Sequence, residues 1–389
     1  MTGNPPVDAS PVDVVCLGES MVTFLPSRPG RLADVPSFTR AIGGAESNVA
    51  CALAAAGHRV KWVGRVGADG FGDHLVEAIG AYGVDVSAVA RDAGRPTGVY
   101  FRTATDRAAE EHEVVYFRAG SAASAMSPAT VPYESVAEGR ILHLSGITAA
   151  LSDDCLALMR ELTASRPDRR RPLVSFDVNF RAGLWREGGA EGARVLLELA
   201  RGADLVFVGE DEAEEAWGVA GPEAVREALP EPPVVVVKRG ARGAVVFERR
   251  AGSFPARPLP EPGAPPPDPR TSISPYALRR GGTPSGAGYD TVTDVPAPRV
   301  DVVAPVGAGD AFAAGFLSGT LRGLDVTARV RHGHLMAAAA LTVPGDLATP
   351  PPTPVHADRL VALDDEGWGR LHLGPGWTRT GQDQEVRTS

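Results

Sequence analysis

The segment Gly307-Ala308-Gly309-Asp310 places two glycines and a carboxylate at the head of the small-residue run Ala311-Phe312-Ala313-Ala314-Gly315. Glycines let backbone approach an anion closely, and the free N–H groups and positive dipole end of a following helix favour negative charge there. A carboxylate aimed at the same point can take the proton of an attacking hydroxyl. Turn and acid together suit phosphoryl transfer, with Gly307, Ala308 and Gly309 stabilising charge on the transferred group and Asp310 as general base. The same residues read equally as a capped helix start, because glycine before a helix and Asp in its first turn are ordinary. The remaining chain decides between the two.

The chain has 389 residues, 43% of them hydrophobic, enough for a large α/β core built as one domain or two. Net charge is −9, and the arginine run Arg169–Arg171 is too short to form a basic stripe. Nucleic acid and anionic membrane are therefore disfavoured as partners. Cys16, Cys51 and Cys155 lack disulfide or zinc spacing and read as buried apolar residues. The N-terminal residues lack a signal-peptide pattern and no apolar run approaches the ~20 residues of a membrane span, so a cytoplasmic protein is expected.

Short apolar runs at Val12–Leu17, Lys61–Val66, Ile141–Leu144, Leu173–Phe176, Leu205–Val208 and Val234–Val237 alternate with helical segments. The helices fit Asn48–Ala56, Gly72–Tyr82, Asp153–Ser165, Glu191–Ala200, Asp211–Trp217, Gly309–Arg322 and Val326–Leu341. Strands apolar throughout, separated by helices, predict a doubly wound parallel sheet covered on both faces, with ligands beyond the strand C-termini. Met21–Leu25, Thr97–Thr103 and Glu113–Arg118 depart from this rhythm and predict a small separate sheet, a lid over the ligand edge. From Pro255 to Pro284 ten of thirty residues are proline, which predicts a disordered insertion, bounded at 252–292. Residues 1–11 and 374–389 are expected to be flexible tails.

Two glycine motifs in this order, Gly43-Gly44-Ala45-Glu46-Ser47-Asn48 and Gly307-Ala308-Gly309-Asp310, resemble the signatures of the ribokinase-like (PfkB) carbohydrate kinases. Within that family the chain is most similar to the 2-keto-3-deoxygluconate kinase branch, through GGAESNVA, Tyr116–Ala122, His143–Thr148 and Asp177–Trp185. The resemblance covers roughly residues 12–348 and implies a ribokinase-like kinase domain, with lid strands within about 20–42 and 97–118. It also implies ATP and Mg2+, a sugar or sugar-acid substrate, and a homodimer or larger assembly through the lid.

Carried over residue by residue, the resemblance assigns Gly44, Asn48, Tyr100, Tyr116, Phe117, Arg118, Arg181, Asp310 and Asp346 to the substrate side. Arg118 and Arg181 are the pair suited to a substrate carboxylate, since guanidinium matches carboxylate bidentately. Asn48 also reads as a helix cap, and the arginines as surface ion pairs. The nucleotide side is Asn179, Lys238, Gly240, Arg242, Gly243, Gly307, Gly309 and His334. Lys238 also reads as a strand end, Arg242 as a turn residue and His334 as a solvated helix histidine. Glu212 is an indirect magnesium residue, in a stretch where the family's expected asparagine is Gly209. The implied reaction is transfer of the ATP γ-phosphoryl group to the terminal hydroxyl of 2-keto-3-deoxygluconate. Another sugar kinase of the family or a non-catalytic sugar sensor are the alternatives. A dinucleotide oxidoreductase is disfavoured because no GxGxxG follows the first strand, where the chain reads Cys16-Leu17-Gly18-Glu19-Ser20.

Overall fold

The computed structural model describes residues 11–28, 30–103, 114–164, 171–185, 189–249, 290–348, 352–379 and 386–388. The chain runs β1 (Val14–Leu17), β2 (Met21–Pro26), β3 (Phe38–Gly43), α1 (Ala45–Ala55), β4 (Val60–Val63), β5 (Arg65–Gly67), α2 (Gly70–Gly80), β6 (Ala90–Asp92), β7 (Val99–Arg102) and β8 (Val114–Phe117). It continues through α3 (Tyr133–Ala137), β9 (Ile141–Ser145), α4 (Gly146–Ala149), α5 (Asp153–Thr163), β10 (Leu173–Asp177), α6 (Gly189–Arg201), β11 (Leu205–Gly209), α7 (Glu210–Trp217) and α8 (Pro222–Ala228). Then come β12 (Val234–Lys238), β13 (Ala244–Arg249), β14 (Asp290–Val295), β15 (Arg299–Val300), α9 (Ala308–Leu321), α10 (Val326–Leu341), α11 (Pro354–Val361), α12 (Asp365–Gly369), β16 (Leu371–Leu373) and β17 (Val386–Thr388).

The main sheet has the order β14-β13-β12-β11-β10-β9-β1-β4, parallel from β4 to β12 and antiparallel at β13 and β14. Period-2 alternation explains why its strands are apolar throughout. Val15 and Leu17 enter one core with Leu158 and Met159 of α5 and Leu196 and Leu199 of α6. Val14 and Cys16 enter the other with Val49 and Leu53 of α1 and Phe312 and Phe316 of α9. The three cysteines are free and buried. A separate four-stranded sheet, β3-β2-β7-β8, contains the strands expected to form a lid. No helix among the described residues is long and apolar enough to cross a membrane.

Several boundaries differ from the sequence reading. The run Lys61–Val66 is two strands, because Gly64 packs against the Trp62 ring and the Gly18 carbonyl and the chain turns there to pair β5 with β6. The Pro/Gly-rich insertion was drawn to 292, yet Asp290–Val292 belong to β14 in register with Thr291↔Glu248. Arg226 Nε anchors that strand at 2.6 Å from Asp290 Oδ2. The rest of that segment, 252–289, lies outside the described residues, as do residues 1–10 and 104–113.

The kinase unit was drawn to 348 with a flexible tail from 374, and both limits fall short. A third apolar cluster joins Leu335 and Ala339 of α10 to Leu360, Trp368, Leu371 and Trp377. Trp377 is 1% exposed, so burial of one large ring holds Gly374–Arg379 against the body.

Helix α9, which carries the glycine turn at its head, crosses α10 at backbone contact. A Cβ on Gly315 would overlap the His332 carbonyl oxygen and lie 2.8 Å from Gly333 Cα. Gly315→Ala is expected to lower unfolding free energy by about 1–3 kcal/mol through overpacking. Denaturant melting checks it, and wild-type stability would contradict the crossing.

Candidate active site

Gly307 caps α9 with φ 72°, a left-handed conformation that glycine adopts without strain. Its missing side chain also makes room, because a Cβ would overlap the carbonyl oxygen of Asp346. Ala308, Gly309 and Asp310 form the first turn, whose N–H groups have no intrahelical partner. Lys238, ending β12, brings its ammonium within 3.6 Å of where a Gly309 Cβ would stand. The turn thus has the helix end, the open backbone and the nearby cation of an anion site.

Asp310 is bound by Asn48, whose Nδ2 donates to Oδ2 at 2.9 Å. Asn48 is interior to α1, so it is a side-chain partner of the acid and not a cap. Burial pushes the Asp310 pKa up to about 8. The hydrogen bond from Asn48 opposes this, the negative charges of Asp177 and Asp346 add to it, and the Lys238 cation opposes it again. Burial also raises Asp346, with Arg102, Tyr100 and Asn48 holding it back. Tyr100 is buried and its hydroxyl donates to Asp346 Oδ2 at 3.3 Å. The expected substrate-side residues Asn48, Tyr100, Asp310 and Asp346 therefore form one connected group.

Other expected residues stand differently. Gly44 precedes α1 in extended backbone, and the space its Cβ would need is occupied by the Glu19 carbonyl and Ser20 Cα. Close packing of two backbones explains this glycine. Tyr116 lies opposite Tyr100 across β7 and β8, with ring centroids 5.4 Å apart. Phe117, expected beside it, falls on the opposite face by strand alternation and packs edge-on to Phe101 at 6.0 Å with 62% exposure.

The two candidate carboxylate-binding arginines are unlike. Arg118 is buried in an ion pair with Glu19, whose Oε1 accepts from Ser121 Oγ at 2.6 Å. It is neither a surface ion pair nor an uncompensated cation. Arg181 is exposed and donates to the Phe180 carbonyl at 2.8 Å.

On the nucleotide side, Lys238 Nζ reaches both oxygens of Asp177, at 2.8 and 3.1 Å. Asn179 has φ 44°, the one non-glycine with positive φ among the described residues, a backbone state that asparagine tolerates. Gly240 and Gly243 also have positive φ, and a Cβ on Gly243 would overlap the Val295 carbonyl. Arg242 is exposed and ion-paired with Glu210. Glu212 is not a free acid, since one oxygen accepts from Phe180 N and the other from Gly209 N at 2.8 Å. It fastens the end of β10 to the start of α7, which leaves it unsuited to direct metal ligation.

His334 corrects the sequence reading most plainly. It is not solvated: its ring is edge-on to Phe312 at 5.2 Å, its Nε2 lies 3.3 Å from the Val295 carbonyl, and burial lowers its pKa to about 4.

Four further charged residues in or near the site were not singled out from sequence: Glu19, Glu46, Asp177 and Arg102. Glu46 accepts from Ser145 Oγ at 2.8 Å and Thr148 Oγ1 at 2.7 Å, tying α1 to β9 and α4, and burial raises its pKa to about 7. Arg102 pairs with Asp346 at 3.1 Å. Its spacing from Tyr100, two residues on a strand, is the one sequence signal that placed it on the same face.

The pfkB family carbohydrate kinase profile matches residues 12–262 and 285–354. A 2-dehydro-3-deoxygluconokinase of Bacillus subtilis is 33% identical over 340 residues, 86% of this chain and 91% of that protein. A 2-dehydro-3-deoxygluconokinase of Thermoproteus tenax is 34% identical over 247 residues, 63% of this chain and 74% of that protein. The crystal structure of a PfkB protein from Polaromonas, 31% identical, superposes with a TM-score of 0.69 over 90% of this chain and 100% of that one.

Proposed function

The chain belongs to the pfkB family of carbohydrate kinases, and from that premise we propose that it phosphorylates 2-keto-3-deoxygluconate on its terminal C6 hydroxyl, with ATP as donor. The observation that carries the reading is Asp310, held by Asn48 at 2.9 Å in the first turn of α9, where a developing phosphoryl charge meets backbone N–H groups. The sugar lies beneath the lid with its hydroxyl at Asp310, which takes the proton as oxygen attacks the γ-phosphorus. Lys238, near the same turn, faces the transferred phosphoryl. Lid closure excludes the water that would otherwise compete as acceptor.

Magnesium, when bound, neutralises phosphate charge. Among the described residues no group of three acidic, histidine or cysteine side chains could hold a metal, and Glu212 spends both oxygens on backbone N–H groups. These residues fit an ion carried on the nucleotide's phosphates and on water, with Asp177 and Glu212 acting through that water.

A sugar acid is the preferred substrate because of the two 2-dehydro-3-deoxygluconokinase relatives and because Arg118 brings a guanidinium to the end of lid strand β8. Its carboxylate would share Arg118 with Glu19, while Arg181 at the exposed rim supplies a second cation. The Glu19 pairing also favours a second reading, a neutral-sugar kinase, since it balances Arg118 without any ligand. The exposed edge strand β8, with Tyr116 at 49% and Phe117 at 62% exposure, suits pairing with a second copy as a homodimer. A cytoplasmic location suits this reaction, because ATP is available there.

Asp310→Asn is expected to lower kcat by about 10²–10⁴-fold while sugar binding persists. The wild type's kcat/KM should rise with pH through about 8, because burial raises this acid and only its ionised form accepts a proton. Near-normal turnover in the variant, or a profile flat from pH 6 to 9, would remove Asp310 as base. Arg118→Ala should raise KM for 2-keto-3-deoxygluconate about 10- to 100-fold and leave KM for ATP unchanged. An unaltered sugar-acid KM together with efficient use of fructose or ribose selects the neutral-sugar reading. Sedimentation at micromolar concentration should give a dimer or larger mass, and a strictly monomeric mass would refute assembly through β8.

A further inference from the structure

One buried cation joins the lid to the phosphate-facing turn. Arg102 ends β7 with its side chain 8% exposed. Its Nη2 lies 3.1 Å from Asp346 Oδ1 and donates to the Pro344 carbonyl oxygen at 3.1 Å. Tyr100, two residues earlier on the same face of β7, donates to the other oxygen of that carboxylate at 3.3 Å. Two alternate side chains of one lid strand therefore hold the loop Pro344–Asp346. The backbone of this loop is what Gly307 packs against: a Cβ there would overlap the Asp346 carbonyl oxygen and come within 3.0 Å of its Cα. Gly307 in turn caps the helix whose first turn holds Asp310.

We propose that Arg102 is a positioning residue that couples the sugar under the lid to the nucleotide at Gly307–Asp310, by clamping the loop Pro344–Asp346 between them. The inference rests on the kinase reading for the location of the two ligands. A buried guanidinium is stable only while paired, so β7 and Asp346 keep their separation when the lid moves. Displacement of β7 over a bound sugar is carried to the loop and then, by hard contact, to the left-handed Gly307. The hydroxyl of Tyr100 contributes one neutral hydrogen bond to the same carboxylate, a weaker tie than the charged pair. A cation serving stability alone would leave the affinities of the two ligands independent of each other.

The test is calorimetric titration of the full chain with magnesium adenylyl imidodiphosphate, with and without saturating 2-keto-3-deoxygluconate. The wild type is compared with Arg102→Gln, Arg102→Lys and the double variant Arg102→Gln/Asp346→Asn. In the wild type the sugar should tighten nucleotide binding at least about fivefold, and in Arg102→Gln less than about twofold, with Arg102→Lys between them. Should Arg102→Gln fail to fold because Asp346 is left unpaired, the double variant, which buries no unpaired charge, reads the same ratio and should also lose the coupling. A wild-type ratio in either variant overturns the proposal, as does a wild type whose nucleotide affinity ignores a sugar that it binds. If the wild type binds nucleotide and a neutral sugar but no 2-keto-3-deoxygluconate, the substrate reading fails, and the same ratios measured with the neutral sugar decide the role of Arg102. A wild type that binds no sugar overturns both.

Discussion

Holding several carboxylates close together where water is largely displaced is the constraint on which this site depends. An unpaired buried carboxylate is expensive, so each must have a partner. Asp177 takes the ammonium of Lys238 at 2.8 Å, Asp346 takes the guanidinium of Arg102 at 3.1 Å, and Glu212 takes two backbone N–H groups. Asp310 receives a single neutral amide, from Asn48, and no direct cation. Burial is the main cause that raises Asp310 to about 8, with the charges of Asp177 and Asp346 adding to it and Asn48 and Lys238 opposing it. The two nearby cations are paired with its neighbours Asp177 and Asp346, so neither is in direct contact with Asp310.

The fold supplies this allocation through its topology. Asp177 and Lys238 are the last residues of β10 and β12, and both lie at the C-terminal edge where a parallel sheet gathers its strand ends. Asn48 comes from α1 and Asp310 from α9, two helices packed together on one face of the sheet. Asp346 arrives on the loop after α10 and is located by contact with Gly307 and by the lid side chains Tyr100 and Arg102. Five separately folded elements thus converge, and α10 is fixed against α9 by the Gly315 crossing.

What the sequence disclosed follows from which physical signals are local. The parallel strands were legible because burial on both faces makes Val234–Val237 and Leu205–Val208 apolar at every position. Gly307 was legible because its conformation excludes other residues. Strand β14 was missed at its start because Asp290-Thr291-Val292 follows a proline-rich stretch and its partner β13 lies beyond that stretch. Trp377 was missed because its burial depends on α10 and α11, not on its polar neighbours. His334 was misjudged for the same reason: its spacing along α10 is visible in sequence, but Phe312 beside it is not. Arg102, Glu19 and Asp177 have meaning only through partners dozens or hundreds of residues away, and no window of sequence contains such a pair.

The same charge pairing bears on what the site can accept. Glu19 and Arg118 offset each other's charge, with Ser121 donating to the carboxylate at 2.6 Å. A neutral sugar meets a balanced site and gains from hydrogen bonds alone. An acid adds a third charge to that pair and must be compensated by closer approach of Arg118, by the exposed Arg181, or by both. On the proposed reading, discrimination between the two classes would depend on how far β8 can carry Arg118 toward the ligand without leaving Glu19 buried alone. Because β8 is hydrogen-bonded to β7, and β7 is tied through Arg102 to the loop against Gly307, the proposed recognition of an acid and the proposed positioning of the phosphoryl acceptor would act through one hydrogen-bonded sheet.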